Sequence, residues 1–177
     1  NCVITDCVIE KIEKESDSVE FGFVEKKEPF CWTYKMDEKT KIFGLGESVR
    51  GINKRGFVYE SWCSDVPGQH EGTKSMYGAH NFLVFKEETS DCSFGIFFDT
   101  GSKVIFDLGF EKTNVVNVSV LDTGVNVYII TKKKNRGNES VLVNITKQFR
   151  RIIGQSYIPP FWGFGFQQSR WGYKTET

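Results

Sequence analysis

The chain has 177 residues, and its 23 Lys and Arg residues are balanced by 23 Asp and Glu residues, so the formal net charge at pH 7 is zero. This balance argues against the basic surface of a nucleic-acid-binding protein or a polybasic membrane-binding surface, and we expect neither partner. The length is sufficient for a full hydrophobic core, and the 16 Phe and 17 Gly residues favour an aromatic-rich β core.

The cysteines indicate reduced thiols rather than a disulfide framework or a zinc site. Their number is odd, and no two of them form a CxxC motif. The five cysteines are Cys2, Cys7, Cys31, Cys63 and Cys92. The apolar runs are only a few residues long, which is too short for a membrane-spanning helix. The sequence that follows Asn1 does not resemble a signal peptide. It leaves open whether a signal peptide preceded Asn1. We therefore expect a cytoplasmic protein without a metal or cofactor.

The N-terminal part of the chain predicts three strands. Residues 2–12 are β-branched and apolar, residues 13–18 form a charged turn, and residues 19–24 alternate in polarity. Residues 30–36 alternate most strictly, with the aromatic Phe30, Trp32 and Tyr34 and then Met36 at every second position. This alternation predicts a buried core face, and a flat sugar-stacking face is the alternative. We expect the three strands to be antiparallel and joined by short charged loops.

The next elements frame a long loop. Two glycines surround Leu45, which predicts a close backbone approach or a bulge in the strand over residues 42–48. Residues 57–62 form the next predicted strand, and residues 63–77 form a loop. Loops of about 15 residues without internal structure are uncommon unless they serve a function. The loop carries Asp65 and is the best candidate site outside the C-terminal stretch.

Short strands continue through the middle of the chain and then give way to a helix. The predicted strands, separated by turn signals, are residues 78–85, 93–99, 103–110, 115–121 and 125–130. About ten short strands at a spacing near ten residues indicate an antiparallel β-sandwich, so the chain is mainly β. Asn138 or Ser140 can cap a helix whose apolar face carries Val141, Ile145, Phe149 and Ile152, and Gly154 predicts its end.

The C-terminal stretch has a different character. Pro159 and Pro160 stiffen its approach, and residues 161–166 alternate aromatics and glycines without a charge. Polar and aromatic groups follow, among them Arg170 and Trp171. An apolar run that ends in such a cluster is typical of a buried strand whose C-terminal end opens into a site. We place a domain boundary between about Gly154 and this stretch, with residues 1–154 as the first domain and 155–177 as the start of a second.

Other chemistry finds little support. The Gly-rich run over residues 68–75 lacks the spacing of a phosphate-binding loop. His70 and His80 have too few neighbouring ligands at defined spacing for a metal site. No GxSxG motif and no Cys-His signature of a nucleophilic enzyme occurs. On pattern alone, Asp65 is a solvated acid, and Arg170 and Trp171 carry a stronger indication of function.

Five motifs in one order give the chain a recognisable pattern. They are Phe-Gly-Leu-Gly-Glu47, Trp-Cys-Ser-Asp65, Tyr-Gly-Ala-His-Asn-Phe82, Gly-Ile-Phe-Phe-Asp99 and Ile-Pro-Pro-Phe-Trp-Gly-Phe-Gly-Phe-Gln-Gln-Ser-Arg-Trp-Gly-Tyr173. Together they resemble the N-terminal part of glycoside hydrolase family 31, which contains α-glucosidases, isomaltases and α-xylosidases. The resemblance covers roughly residues 30 to 177. Within the family, it is nearest to α-glucosidases of gut Firmicutes, in which runs like Gly-Ile-Asn-Lys-Arg-Gly at residues 51–56 and Lys-Gln-Phe-Arg-Arg at residues 147–151 also occur.

The resemblance implies a galactose-mutarotase-like β-sandwich followed by one helix and the first strand of a truncated (β/α)₈ barrel. Residues 1–154 would be the sandwich with its linker helix, and residues 155–177 the linker and that first strand. The family sends a long sandwich loop over the barrel mouth, which implies that Asp65 contacts the sugar. Arg170 and Trp171 match the pocket rim. The family often has Arg before this Asp, whereas this chain has Ser64.

The resemblance also implies what the chain lacks. A retaining glycosidase needs a nucleophilic and an acid/base carboxylate, and in this family both lie on later barrel strands. We therefore assign no catalytic residue and expect a non-catalytic part of an α-glucosidase that hydrolyses α-linked glucosides from the non-reducing end. Its partners would be an α-glucoside oligosaccharide and the remainder of its own barrel, with homo-oligomerisation open. The alternative is a stand-alone carbohydrate-binding or interaction module.

Overall fold

A computed structural model describes residues 11–16, 19–25, 29–88, 93–122, 124–131, 139–168 and 172. Within these residues the chain forms ten strands, one α-helix and one 3₁₀ turn. The strands are β1 (Lys11–Ser16), β2 (Val19–Glu25), β3 (Phe30–Lys35), β4 (Lys41–Gly44), β5 (Val58–Ser61), β6 (Phe82–Lys86), β7 (Phe94–Asp99), β8 (Val104–Leu108), β9 (Val115–Val120) and β10 (Gly124–Thr131). The α-helix, α1, is Val141–Ile153, and the 3₁₀ turn is Phe161–Phe164.

The strands form two antiparallel sheets. One sheet has six strands in the order β1-β2-β10-β7-β6-β4, and the other has four in the order β3-β9-β8-β5. The side chains of β3, β5 and β9 alternate between the space that separates the sheets and the outer faces, which is the pattern that a half-buried antiparallel sheet requires. The predicted mainly β sandwich followed by one helix is thus confirmed.

The pairing of the first strands differs from the prediction. β2 pairs with β10, with Val24 opposite Val125, whereas β3 lies in the other sheet and pairs with β9. The predicted run of three neighbouring antiparallel strands is therefore wrong. Alternation of polarity fixes which face of a strand is buried, but it does not specify the hydrogen-bonding partner, and distant strands supply that partner here.

The boundary of the first strand also differs. Residues 2–10, which belong to the first predicted strand, lie outside the described residues. The predicted turn over 13–18 is wrong for residues 13–16, because Lys11–Ser16 form β1 and pair with β2. β1 is an edge strand of its sheet, and natural edge strands tolerate charged residues of the kind that suggested a turn.

Aromatic rings fill the space between the sheets. Trp32 on β3 makes edge contacts with Phe85 on β6 and Phe98 on β7, with ring centroids 6.1 and 5.9 Å apart. Phe98 makes a similar contact with Phe106 of β8 at 5.9 Å. Phe30 and Trp32 are almost fully buried. The alternating aromatics of β3 therefore form the predicted core, and the alternative of a sugar-stacking face is wrong.

Helix α1 covers the outer face of the six-stranded sheet. Ile145 is fully buried, and Phe149 stacks on Phe82 of β6 with centroids 3.8 Å apart. A Cβ at Gly95 of β7 would lie 2.7 Å from Ile145 Cγ2, so a glycine there lets the helix approach. Gly154, with φ of 92°, ends the helix as predicted. Ser140 occupies the N-cap position without a capping hydrogen bond from its side chain.

The aromatic segment, residues 161–166, is not the strand that the sequence predicts. Phe161–Phe164 form the 3₁₀ turn, in which Gly163 N–H donates to the Pro160 carbonyl at 2.8 Å. Phe161 is 93% exposed. A strand needs a neighbour for its backbone groups, and none of the described strands pairs with this segment, so local bonds form instead. In the described part of the chain, no helix has the length and hydropathy needed to cross a membrane.

A tight turn ends β4 against β6. Gly44 has a φ of 126°, and a Cβ there would lie 2.2 Å from the Phe82 carbonyl oxygen. Leu45 also has positive φ, at 61°, and its N–H donates to the same oxygen at 3.0 Å. The close backbone approach that the two glycines predict is confirmed. It turns the chain out of β4 toward the face that carries the long loop.

We predict that Gly44→Ala destabilises the fold by about 2–4 kcal/mol, because the new methyl group meets a backbone oxygen and the φ is unfavourable for alanine. Gly101→Ala is the control, since a Cβ there would meet no atom within 4 Å and the φ of Gly101 is not in the positive region. The control should change the free energy of unfolding by less than about 0.5 kcal/mol. Equal urea midpoints for the two variants would contradict the close approach.

We predict that Ile145→Ala lowers the free energy of unfolding by about 2–4 kcal/mol, because Ile145 is the buried anchor of α1 on the sheet. Val143→Ala on the same helix is the control, since Val143 is 46% exposed and should cost less than about 1 kcal/mol. Chemical denaturation followed by circular dichroism measures both. If Val143→Ala lowered the free energy of unfolding as much as Ile145→Ala, the assignment of the buried face of α1 would be wrong.

Candidate functional site

The site is organised by the long loop, residues 62–81, which connects β5 to β6. The return arm of the loop runs along the free edge of β5, where Glu60 N–H donates to the Lys74 carbonyl at 2.9 Å. Four residues further along the outgoing arm and two along the return arm, Ser64 N–H donates to the Met76 carbonyl at 2.8 Å. These two bonds form the neck of the loop. The first bond satisfies a backbone group of the edge strand, and the second joins the two arms beyond the strand, so that together they fix the spacing of the arms.

Two serine hydroxyls reinforce the neck. Ser75 Oγ donates a hydrogen bond to the Trp62 carbonyl, and Ser64 Oγ donates to Ser75 Oγ at 2.8 Å. The Ser64 hydroxyl therefore joins the two arms of the loop next to Asp65.

The tip of the loop is a separate, well-ordered turn. Thr73 N–H donates to the His70 carbonyl at 2.8 Å, and His70 N–H donates to Thr73 Oγ1 at 3.0 Å. Arg50 fastens this turn to the sandwich, because its Nε–H donates to the Glu71 carbonyl at 2.7 Å. The Arg50 guanidinium carbon lies 3.6 Å from the centre of the Phe57 ring, a cation–π contact. The loop is thus held at its neck and at its tip.

Asp65 and Tyr77 lie just beyond the neck, on opposite arms. The Tyr77 hydroxyl donates to Asp65 Oδ1 at 3.1 Å, and both side chains are exposed. The hydrogen bond to Asp65 is the main reason that the pKa of Tyr77 lies above its ordinary value, and the carboxylate charge acts in the same direction. The pair presents a negative charge with one oxygen already bonded to a neutral donor.

A narrow crevice of mixed polar and apolar lining lies behind the loop. Its walls include Glu47, Lys74 and His80. Gly46 has a φ of 58°, and a Cβ there would lie 2.2 Å from His80 Cδ2, so His80 packs directly on this turn. Lys54 is buried nearby and donates to the Ser48 carbonyl at 3.3 Å, and burial lowers its pKa. His80 is thus an exposed part of the crevice wall. In the described part of the chain, no group of three or more His, Cys, Asp or Glu side chains is placed to hold a metal ion.

A second concavity was not foreseen from the sequence. A depression of 290 Å³ opens where β5 ends and β7 turns into β8, and its lining includes Trp62, Asn81 and Thr100. Trp62 is 48% exposed, and Asn81 Nδ2 donates to the Thr100 carbonyl at 3.2 Å. Its residues come from three separate segments of the chain. Only the tertiary structure brings them together, so no local signal identifies the depression.

The three predicted binding residues have different outcomes. Asp65 lies exposed in the long loop, and its contact with a sugar stays a prediction. Arg170 and Trp171 lie outside the described residues, and their place beside Asp65 stays a prediction. Tyr77, which sequence reasoning left without a role, is the residue that contacts Asp65. Chemically, this arrangement can accept hydrogen bonds from the hydroxyl groups of a ligand.

Comparison with known proteins gives related sequences. An α-glucosidase 2 from Bacillus thermoamyloliquefaciens is 28% identical over 147 residues, covering 82% of this chain and 17% of the relative. An α-glucosidase from Saccharolobus solfataricus is 26% identical over 138 residues, covering 78% of this chain and 19% of the relative. The chain therefore spans less than a fifth of the length of these relatives.

The fold has known counterparts as well. It is similar to part of a Flavobacterium johnsoniae family 31 dextranase complexed with isomaltotriose, with a TM-score of 0.66 and 19% identity. The match covers 88% of this chain and 22% of the dextranase. Residues 10–107 match the model of the glycosyl hydrolase 31 N-terminal galactose mutarotase-like domain. Since this match spans more than half of the 177 residues, the chain belongs to that family of N-terminal domains.

Proposed function

We propose that this domain is the non-catalytic N-terminal part of a retaining α-glucosidase and that its long loop forms one wall of the substrate pocket. The observation that carries the proposal is the Asp65 carboxylate, which is exposed beyond a loop neck fixed by backbone bonds. A carboxylate held in this way can accept a charge-assisted hydrogen bond from a sugar hydroxyl. The α-glucosidases among the relatives support an α-linked glucoside as the ligand. In the proposal, the enzyme cleaves it from its non-reducing end.

The same proposal places the bond-breaking chemistry outside this domain. Retaining hydrolysis needs two carboxyl groups about 5–5.5 Å apart that flank the glycosidic bond. In the proposal, a catalytic barrel supplies both. Residues 155–177 are the linker and first barrel strand, and Arg170 and Trp171 lie at the pocket rim. The length of the relatives supports this division, because the chain covers less than a fifth of them.

The aromatic segment supports a contact with such a barrel. Phe161, Trp162 and Phe166 are largely exposed, although aromatic side chains of this size are normally buried. In the proposal, residues 161–166 become a strand when neighbouring barrel strands satisfy their backbone groups. In the proposal, the barrel is thus the main macromolecular partner of this domain. The proposal also places the protein in the cytoplasm. In its absence, self-association through the same segment is the expected alternative.

A second function, a stand-alone carbohydrate-binding module, is favoured by one observation. The depression beside Trp62 combines an exposed indole, on which a sugar ring can stack, with the polar lining of Asn81 and Thr100. Such a module would bind glycans without any barrel. The two functions therefore differ in whether the isolated domain binds sugar by itself.

We predict that the purified 177-residue chain shows no turnover of p-nitrophenyl α-glucoside above the blank, because it supplies no catalytic carboxylate pair in the proposal. It should also bind no α-glucan on a glycan array. Glycan binding that is lost in Trp62→Ala would favour the stand-alone module. Turnover by the purified chain would sink the proposal of a non-catalytic domain.

We predict that Asp65→Ala in the longer enzyme that contains this domain reduces transition-state stabilisation by about 1.5–3 kcal/mol, read from kcat/KM, because a charge-assisted hydrogen bond is lost. Asp65→Asn should lose less transition-state stabilisation, since the amide oxygen can still accept a hydrogen bond from the sugar hydroxyl. Glu38→Ala, an exposed acid in the turn between β3 and β4, is the control and should leave kcat/KM unchanged. An Asp65→Ala enzyme as active as this control would remove Asp65 from the pocket.

A further inference from the structure

The position of the Asp65 carboxylate depends on a side chain from the other arm of the loop. The last backbone bond of the neck joins Ser64 to Met76, and the next residue on each arm is Asp65 and Tyr77. The neck thus sets the distance between these two residues. The two side chains then meet across the gap between the arms, where the Tyr77 hydroxyl donates a hydrogen bond to Asp65 Oδ1.

The bond leaves the second carboxylate oxygen available. In the described part of the chain, the Tyr77 hydroxyl is the side-chain donor that reaches Asp65, and it reaches Oδ1. Ser64, directly before the acid, is committed to Ser75. A carboxylate oxygen offers two lone-pair positions, so Oδ2 can accept a hydroxyl hydrogen from a ligand while Oδ1 stays bonded.

We propose that Tyr77 is a positioning residue for sugar binding, which holds the Asp65 carboxylate in one orientation so that Oδ2 faces the substrate hydroxyls. The inference rests on the proposed function, because it assumes that Asp65 contacts the sugar. It assigns to Tyr77 a role that acts through Asp65 and needs no contact between the phenol and the sugar.

The chemistry of a phenol suits this role. An exposed Asp side chain samples several rotamers, and ordering it on binding costs free energy that a prior hydrogen bond removes. An Arg or Lys donor would also order the carboxylate, but it would neutralise the charge that strengthens the bond to a sugar hydroxyl. Tyrosine has few rotatable bonds and is neutral at ordinary pH, so it fixes the acid and preserves its charge.

The contact itself can be tested without any activity. In the 177-residue chain with ¹³Cζ-labelled tyrosine, we expect Asp65→Asn to lower the pH at which the Tyr77 resonance titrates, because the hydrogen bond to the charged carboxylate raises the pKa of Tyr77. Tyr77→Phe identifies the resonance by removing it, and Tyr157→Phe, at an exposed tyrosine, should leave it in place. A Tyr77 titration that is unchanged by Asp65→Asn would overturn the proposal.

The role is tested by a double-mutant cycle in the longer enzyme. Tyr77→Phe should raise KM for an α-linked disaccharide about two- to tenfold with kcat nearly unchanged, and it should have no effect in the Asp65→Ala background. An equal effect in both backgrounds would make Tyr77 merely structural and overturn the inference alone. If Asp65→Ala itself leaves kcat/KM unchanged, the proposed role of the loop fails as well, whatever the titration shows.

Discussion

The free edge of β5 is the constraint on which the site depends. An edge strand exposes backbone N–H and C=O groups, and here the chain's own loop satisfies one of them, because the Lys74 carbonyl accepts from Glu60 N–H. A second bond, from Ser64 N–H to the Met76 carbonyl, joins the two arms of the loop beyond the strand. The same requirement operates at the edge of β4, where Asn53 Oδ1 accepts from Ile42 N–H at 3.0 Å. A loop that serves as an edge cover cannot move freely. The hydrogen-bonding requirement of the sheet therefore orders the segment that carries Asp65.

Helix α1 and the C-terminal aromatic segment differ in the burial of their apolar side chains, since the helix buries them and the aromatic segment leaves them exposed. The helix places Ile145 and Phe149 on the six-stranded sheet and completes a second, smaller core. The aromatic segment that follows remains in solvent, with Phe161 and Phe166 exposed. A domain that is complete except for one apolar extension fits a unit that packs against a further domain, which is the arrangement proposed for the barrel.

More of the architecture than of the candidate site could be predicted from the sequence. Alternation in β3 identified core residues such as Trp32, and the spacing of Ile145 and Phe149 identified the buried face of α1, because both are local periodicities. Strand partners such as β2 with β10 are non-local and leave no such signal. The same reason explains the site. The length of the loop marked Asp65, whereas its contact with Tyr77 depends on the register of the two arms.

The central claim is that Asp65, held at the loop neck, binds sugar in a pocket whose catalytic groups lie outside this domain. A crystal structure of the longer enzyme with a bound α-linked oligosaccharide tests it most directly. The account predicts a sugar hydroxyl within hydrogen-bond distance of Asp65 Oδ2, about 2.5–3.0 Å, with Tyr77 still bonded to Oδ1. A bound oligosaccharide that leaves Asp65 in solvent, or one that occupies only the depression beside Trp62, would contradict the account.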